Sequence, residues 1–136
     1  MNSGAKLLKL HSIFDKRGGL LPVEFNSLPF VPKRIFLTHD LIQGVTRGGH
    51  AHQSCHQILI PVLGEFEVKL IGRGGRDEVL LKDIDSALYI PPLVWSSQMT
   101  TKLDSTLLVI ASEAFDKEDY IYSIEETLNF SATTGI

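Results

Sequence analysis

Short apolar runs, each closed by glycine, proline or a charged turn, recur through this chain at intervals of roughly 8–12 residues, the spacing of a sandwich or barrel of antiparallel strands. The clearest case lies in the middle. From Gln57 to Leu63 both parities are apolar; after Gly64, Phe66, Val68 and Leu70 alternate with Glu65, Glu67 and Lys69. The alternation predicts a strand with one wet face, and Gly64 a turn between two strands. Lys6–His11 reads as an edge strand, Asp15–Gly19 as a turn and Leu20–Phe25 as a second short strand. Pro29 and Pro32 make a regular element improbable from Asn26 to Pro32, after which Lys33–His39 has the β-branched and aromatic content of a strand. Gly72–Glu78 reads as a polar hairpin turn without the spacing of a phosphate loop. Val79–Leu81, Ala87–Ile90 (stopped by Pro91 and Pro92), Leu93–Trp95 and the nearly all-apolar Thr106–Ala111 follow as strands, the last a central one. Helical turns are expected only near Asp116–Asp119 and Ile124–Phe130, with Ser131–Ile136 fraying. Phe66, Phe115 and Phe130 read as core. The fold class expected is all-β, as one domain over residues 1–136 with a short C-terminal helical segment.

Composition narrows the function. A formal net charge of −3 offers no bulk attraction to nucleic acid or acidic lipid. No apolar run approaches the roughly 20 residues of a membrane helix, and the first residues are too short in apolar content for a secretory signal. Cys55 is the single cysteine, which excludes an intrachain disulfide framework and fits a reducing compartment. The expected location is the cytoplasm, without nucleic-acid or membrane partners.

Arg47–Gln57, RGGHAHQSCHQ, holds three of the five histidines. On a strand, His50 and His52 share a face because side chains alternate with a period of two. Arg47 adds a cation, and Gly48 and Gly49 permit a sharp bend or close ligand approach. Imidazoles titrate near neutral pH, so one ring can accept a proton while another donates one, as enolisation beside a carbonyl requires. An adjacent arginine suits phosphate or developing oxyanion charge. Surface or structural histidines are the bland alternative. Trp95 suits stacking on a base or sugar and equally suits anchoring the core. Cys55 reads as a buried small residue.

The spacing from Gly44 through His50, His52 and Gln57 to Gly64 resembles the first motif of the cupin superfamily, with Gln57 where metal-binding members carry glutamate. Their second motif would fall on Pro91, Leu93 and Ser96, lacking its glycine and its histidine. Neutral glutamine and serine oxygens bind a divalent cation far less well than carboxylate and imidazole, so no metal is expected.

A longer ordered series carries a closer resemblance. Asp15–Leu20, Leu28–Phe30, Lys33–Ile35, Arg47–Gln57, Ala87–Trp95 and the stretch from LLVIAS to Ile121 are together similar to the WxcM-like, or FdtA-type, sugar 3,4-ketoisomerase family. That resemblance implies a small cupin-like antiparallel β-barrel (jelly roll), usually a homodimer. It also implies an isomerase that works without metal or other cofactor on a dTDP-linked 4-keto-6-deoxyhexose in deoxyamino-sugar synthesis for surface polysaccharides. His50 and His52 match the catalytic pair, removing the C3 proton and passing through an enediol or enediolate to protonated C4. Arg47, Arg34 and Gln57 are the substrate-binding residues that the resemblance implies, and Trp95 joins them as the stacking candidate. Phe36 and Leu37 stand where the family often has tyrosines, Ser96 and Ser97 where it commonly has histidine and glutamate, and Tyr122 where it usually has arginine. The alternatives are a non-catalytic nucleotide-sugar-binding domain and a metal-dependent cupin enzyme.

Overall fold

The computed structural model describes residues 1–131; of the expected fraying tail, residues 132–136 lie outside the described residues. Twelve strands are β1 (Lys6–Lys9), β2 (Ile13–Asp15), β3 (Gly18–Leu20), β4 (Arg34–Thr38), β5 (Arg47–His52), β6 (Gln57–Leu63), β7 (Phe66–Gly72), β8 (Gly75–Leu81), β9 (Ser86–Ile90), β10 (Trp95–Met99), β11 (Thr106–Ala111) and β12 (Tyr120–Ile121), followed by helix α1 (Ile124–Asn129). They form two five-stranded sheets, β1-β9-β6-β11-β4 and β12-β5-β10-β7-β8, with β2 and β3 as a separate hairpin. The strand pairings are antiparallel throughout. This is the antiparallel, cupin-like β-sandwich that the sequence predicts, with its short C-terminal helix.

The two kinds of apolar run have separate causes. Leu59, Leu88, Leu107 and Val109 of the first sheet meet Phe66, Val68, Leu70 and Leu81 of the second in the main core. β7 keeps Glu67 and Lys69 in solvent because only one of its faces is covered. β6 is apolar on both parities because both of its faces are covered. Ile58 and Ile60 form a second cluster with Ala87 and Ile110 on the far side of the sheet, against Leu8, Leu10, Val23, Leu28 and Phe30 from the N-terminal third of the chain. At roughly 1.5–3 kcal/mol for each fully buried large aliphatic side chain, the central strand is held from both sides.

Local expectations change at four places, one of them the strand expected over Leu93–Trp95, which starts only at Trp95 after a turn at Leu93. The polar segment read as a turn over Gly72–Glu78 is mostly strand: β8 starts at Gly75, leaving a two-residue turn at Arg73 and Gly74. β8 is a sheet edge whose outer face carries Arg76 and Glu78 beside the exposed Leu80, while Asp77 accepts the backbone N–H of Ser3 at 2.7 Å. Downstream of the first turn, β3 ends at Leu20, so the strand expected over Leu20–Phe25 does not form, and a 3₁₀ turn over Phe25–Ser27 runs from the end of that stretch into the segment expected to be irregular. Phe115 is not core. It is 66% exposed and lies beneath the guanidinium of Arg34, 5.7 Å from the ring centre. Phe66 is buried as expected, and Phe130 is half-buried.

Leu93 has φ +63°, the left-handed region normally left to glycine. It stands where the second cupin motif has its glycine, so the turn survives without that residue. Its N–H donates to the His52 carbonyl at 2.8 Å, tying the turn to β5.

Candidate active site

β5 runs between β10 and β12 in the second sheet. Simple alternation would put Arg47 and His50 on opposite faces. The register prevents this: Ser96 and Gln98, two apart on β10, pair with His50 and Arg47, three apart on β5. The extra residue is a bulge, and Gly48 and Gly49 supply it at φ +79° and +78°. Arg47 is thereby turned to the same side as His50. The two glycines of the RGGHAH segment thus have a geometric purpose.

A cavity of about 190 Å³ opens here, lined by Arg47 and His50 from β5, Gln57 from β6, Gln98 from β10 and Tyr120 from β12, with Phe36 and Thr38 from β4. A second cavity of about 140 Å³ adjoins it and shares Thr38, Arg47, Gln98 and Leu107, continuing toward Leu41, Ile42 and Val45. Through these shared residues the two form one trench.

The histidines differ in access. Their rings meet edge to face with centres 5.0 Å apart, but His50 lines the cavity while His52 sits behind it at 6% exposure. Asp119, just before β12, fixes the deeper ring: its Oδ2 lies 3.0 Å from His52 Nδ1. The same carboxylate accepts the backbone N–H groups of Ser54 at 2.8 Å and Cys55 at 3.2 Å. An ionised carboxylate only accepts, so Nδ1 is the protonated nitrogen and the lone pair lies on Nε2, which is buried without a protein partner. Burial, with a smaller contribution from neighbouring His52, holds His50 down to about 4. Burial also lowers His52, against the opposing pull of Asp119. Both rings are neutral at pH 7 and able to accept a proton. Tyr120 packs against both, 4.5 Å from each ring centre.

Gln57 and Arg47 share this cavity with His50. Arg34 and Trp95 are not among its lining residues. Arg34 stacks over Phe36 at 5.0 Å and leaves its Nε unpaired, and the Trp95 indole N–H donates to the Tyr122 carbonyl at 3.1 Å behind β5. His56 is in a different cluster, its Nδ1 2.7 Å from the Tyr89 hydroxyl. Sequence reasoning missed Asp119, Tyr120, Gln98 and Thr38 as site residues. Asp119 had the form of a helix start, and nothing local signals that β12 pairs Tyr120 with His52 across the sheet.

A jelly-roll sandwich with a histidine-lined, arginine-rimmed trench defines the class: a cupin-like protein equipped for proton transfer on a small polar ligand. Its sequence is more specific. The chain belongs to the FdtA family (WxcM-like, C-terminal), whose model matches residues 3–132. It is 32% identical over 132 residues to the TDP-4-oxo-6-deoxy-alpha-D-glucose-3,4-oxoisomerase of Aneurinibacillus thermoaerophilus, covering 96% of this chain and 95% of that one. The crystal structure of QdtA, a sugar 3,4-ketoisomerase from Thermoanaerobacterium thermosaccharolyticum in complex with TDP, superposes with a TM-score of 0.89 at 34% identity, covering 95% of each chain. A histidine-to-asparagine mutant of that enzyme has been captured with TDP-4-keto-6-deoxyglucose. The WlaRB TDP-quinovose 3,4-ketoisomerase of Campylobacter jejuni superposes with a TM-score of 0.88 at 32% identity, over 93% of this chain and 98% of that one.

Proposed function

We propose that this protein is a sugar 3,4-ketoisomerase that interconverts the 4-keto and 3-keto forms of a TDP-linked 6-deoxyhexose by histidine acid/base catalysis, acting as one cupin-like domain in the cytoplasm. The observation that carries the reading is a neutral His50 in the wall of a cavity rimmed by Arg47 and backed by the His52–Asp119 pair. His50 takes the proton from C3, and the electrons move toward the C4 carbonyl oxygen, which gains a proton to give the enediol. Loss of the O3 proton and delivery of a proton to C4 complete the exchange, so atoms balance without a redox partner. Arg47 and the Tyr120 hydroxyl offset the oxyanion charge, and Gln57 holds a sugar hydroxyl. Arg34 and Trp95 contribute to substrate binding by supporting the cavity wall and β5. The neighbouring cavity takes the nucleotide end. The chemistry requires no metal or other cofactor.

Incubation with TDP-4-keto-6-deoxyglucose in deuterated water should place solvent deuterium at C4 of the product. His50→Asn should cost on the order of 10²–10⁴ in kcat, the usual size of a positioned acid/base contribution, with calorimetric affinity for the nucleotide sugar nearly unchanged. Binding by the wild-type protein without exchange or product would establish a binding domain in place of an enzyme.

The working unit is a homodimer. The β2–β3 hairpin carries Ile13, Phe14 and Leu20 into solvent, Phe14 at 76% exposure, and the edge strand β4 exposes Ile35 and Leu37. Apolar arms and open edges of this kind call for cover. Among the described residues no helix is long and apolar enough to cross a membrane.

A further inference from the structure

We propose that His52, Cys55 and Asp119 form a binding site for one soft divalent cation of the zinc class, and that its occupation arrests proton transfer at the histidine pair. The ion-binding part stands on the geometry alone; the arrest rests on the isomerase reading. One nitrogen, one sulfur and one carboxylate oxygen from these residues lie within 4.8 Å of one another. His52 and Cys55 are buried, Cys55 at 3% exposure. With metal bonds of about 2.0–2.3 Å a tetrahedral set needs donor separations of roughly 3.3–3.6 Å. The His52–Asp119 edge, at 3.0 Å, is a little shorter than this, so the site forms by a slight opening of that edge and an approach of the sulfur, whose hydrogen bond is a 3.4 Å contact to the His56 carbonyl.

A mixed thiolate, imidazole and carboxylate set selects zinc over calcium or magnesium, which prefer oxygen alone. The approach is separate from the substrate trench. A cavity of about 340 Å³ on the outer side reaches Asp119 past Ser54, Glu113 and Asp116. Three carboxylates face it, against one ammonium, Lys33, itself 3.7 Å from Glu113. The fourth metal position would take water from this side.

The arrest follows from the tautomer. Without metal, His52 donates a hydrogen bond from Nδ1–H to Asp119 and keeps its lone pair on Nε2. On binding, the Cys55 thiol proton leaves to solvent and the metal takes its place, while the single ring proton of His52 passes through solvent from Nδ1 to Nε2 and the metal occupies Nδ1. The neutral ring must then carry its N–H on Nε2, so it no longer accepts a proton there. Asp119 is drawn to the metal at the same moment.

The test is equilibrium dialysis of the purified full chain against Co²⁺ and then Zn²⁺, with optical spectra and assays on the same samples. One cobalt per chain with a sulfur-to-cobalt charge-transfer band is expected. Cys55→Ala and Cys55→Ser should lose the band and roughly tenfold or more in affinity. Zinc should lower kcat without raising KM in the wild type and leave both variants unaffected. A wild-type spectrum without the thiolate band, or equal uptake by the variants, would overturn the site. The band with undiminished turnover would overturn the arrest alone, whereas a protein that binds metal this way but never isomerises sugar retains the site and loses the proposed function.

Discussion

His50 combines exposure to the cavity with enough burial to disfavour its charge, and both properties have consequences that can be measured. Its protonation falls from the ordinary 6.5 to about 4 in the folded protein. Between those values the unfolded chain binds more protons than the folded one, so stability rises with pH across the window and is lost as pH falls from about 6.5 toward 4. Lowered protonation of His52 acts in the same direction. Thermal melts from pH 7 to pH 4 should show Tm falling through this range, and His50→Asn should flatten the slope; an unchanged slope would reject the burial account. Asp119 acts one step further back. Asp119→Asn removes the carboxylate that holds the Nδ1 proton of His52, allowing the other tautomer, and kcat should fall by about 10²–10⁴ with a displaced acid limb in the pH profile. Loss of stability alone, with kcat and its pH profile intact, would make Asp119 merely structural.

β5 is the element on which the site depends, and the bulge is what makes it functional. A Cβ at Gly48 would lie 2.8 Å from Gln98 Oε1 and 3.1 Å from the Ser96 carbonyl, at a φ that side chains avoid. Gly48→Ala should therefore destabilise the fold by about 1–3 kcal/mol and, by pulling Arg47 out of alignment with His50, weaken nucleotide-sugar binding. Denaturant titration and calorimetry on the variant check both parts. Gly64, between β6 and β7, is more constrained: an added Cβ would fall 2.7 Å from the Ser105 Cβ and 2.8 Å from its Cα. Gly64→Ala should cost at least as much stability while leaving Arg47 and His50 in alignment, since the turn borders only the second cavity, through Phe66. The contrast separates a glycine that serves the fold from one that also serves the site.

At the scale of the molecule, the exposed apolar hairpin predicts its own test. Replacing Ile13 and Phe14 by serine should shift sedimentation equilibrium toward monomer without lowering the unfolding midpoint of the monomeric fold, because neither side chain packs in the two core clusters. A dimer unchanged by both substitutions would move the interface elsewhere. What the sequence determined by itself was local and periodic. Alternation set β7, Gly64 the hairpin, the near-continuous apolar run of Thr106–Ala111 a central strand, and the period of two the shared face of His50 and His52. The family resemblance was also legible, because its motifs follow one another in order along the chain. Only the tertiary structure decided the rest. It showed that β6 is doubly apolar because a remote N-terminal segment covers its second face, and that a bulge re-aims Arg47. It also brought Asp119 to a histidine 67 residues away. Periodicity records which face of a strand is buried, but a carboxylate fixing an imidazole across a sheet leaves no local pattern, since the partner's position depends on how distant strands come into register.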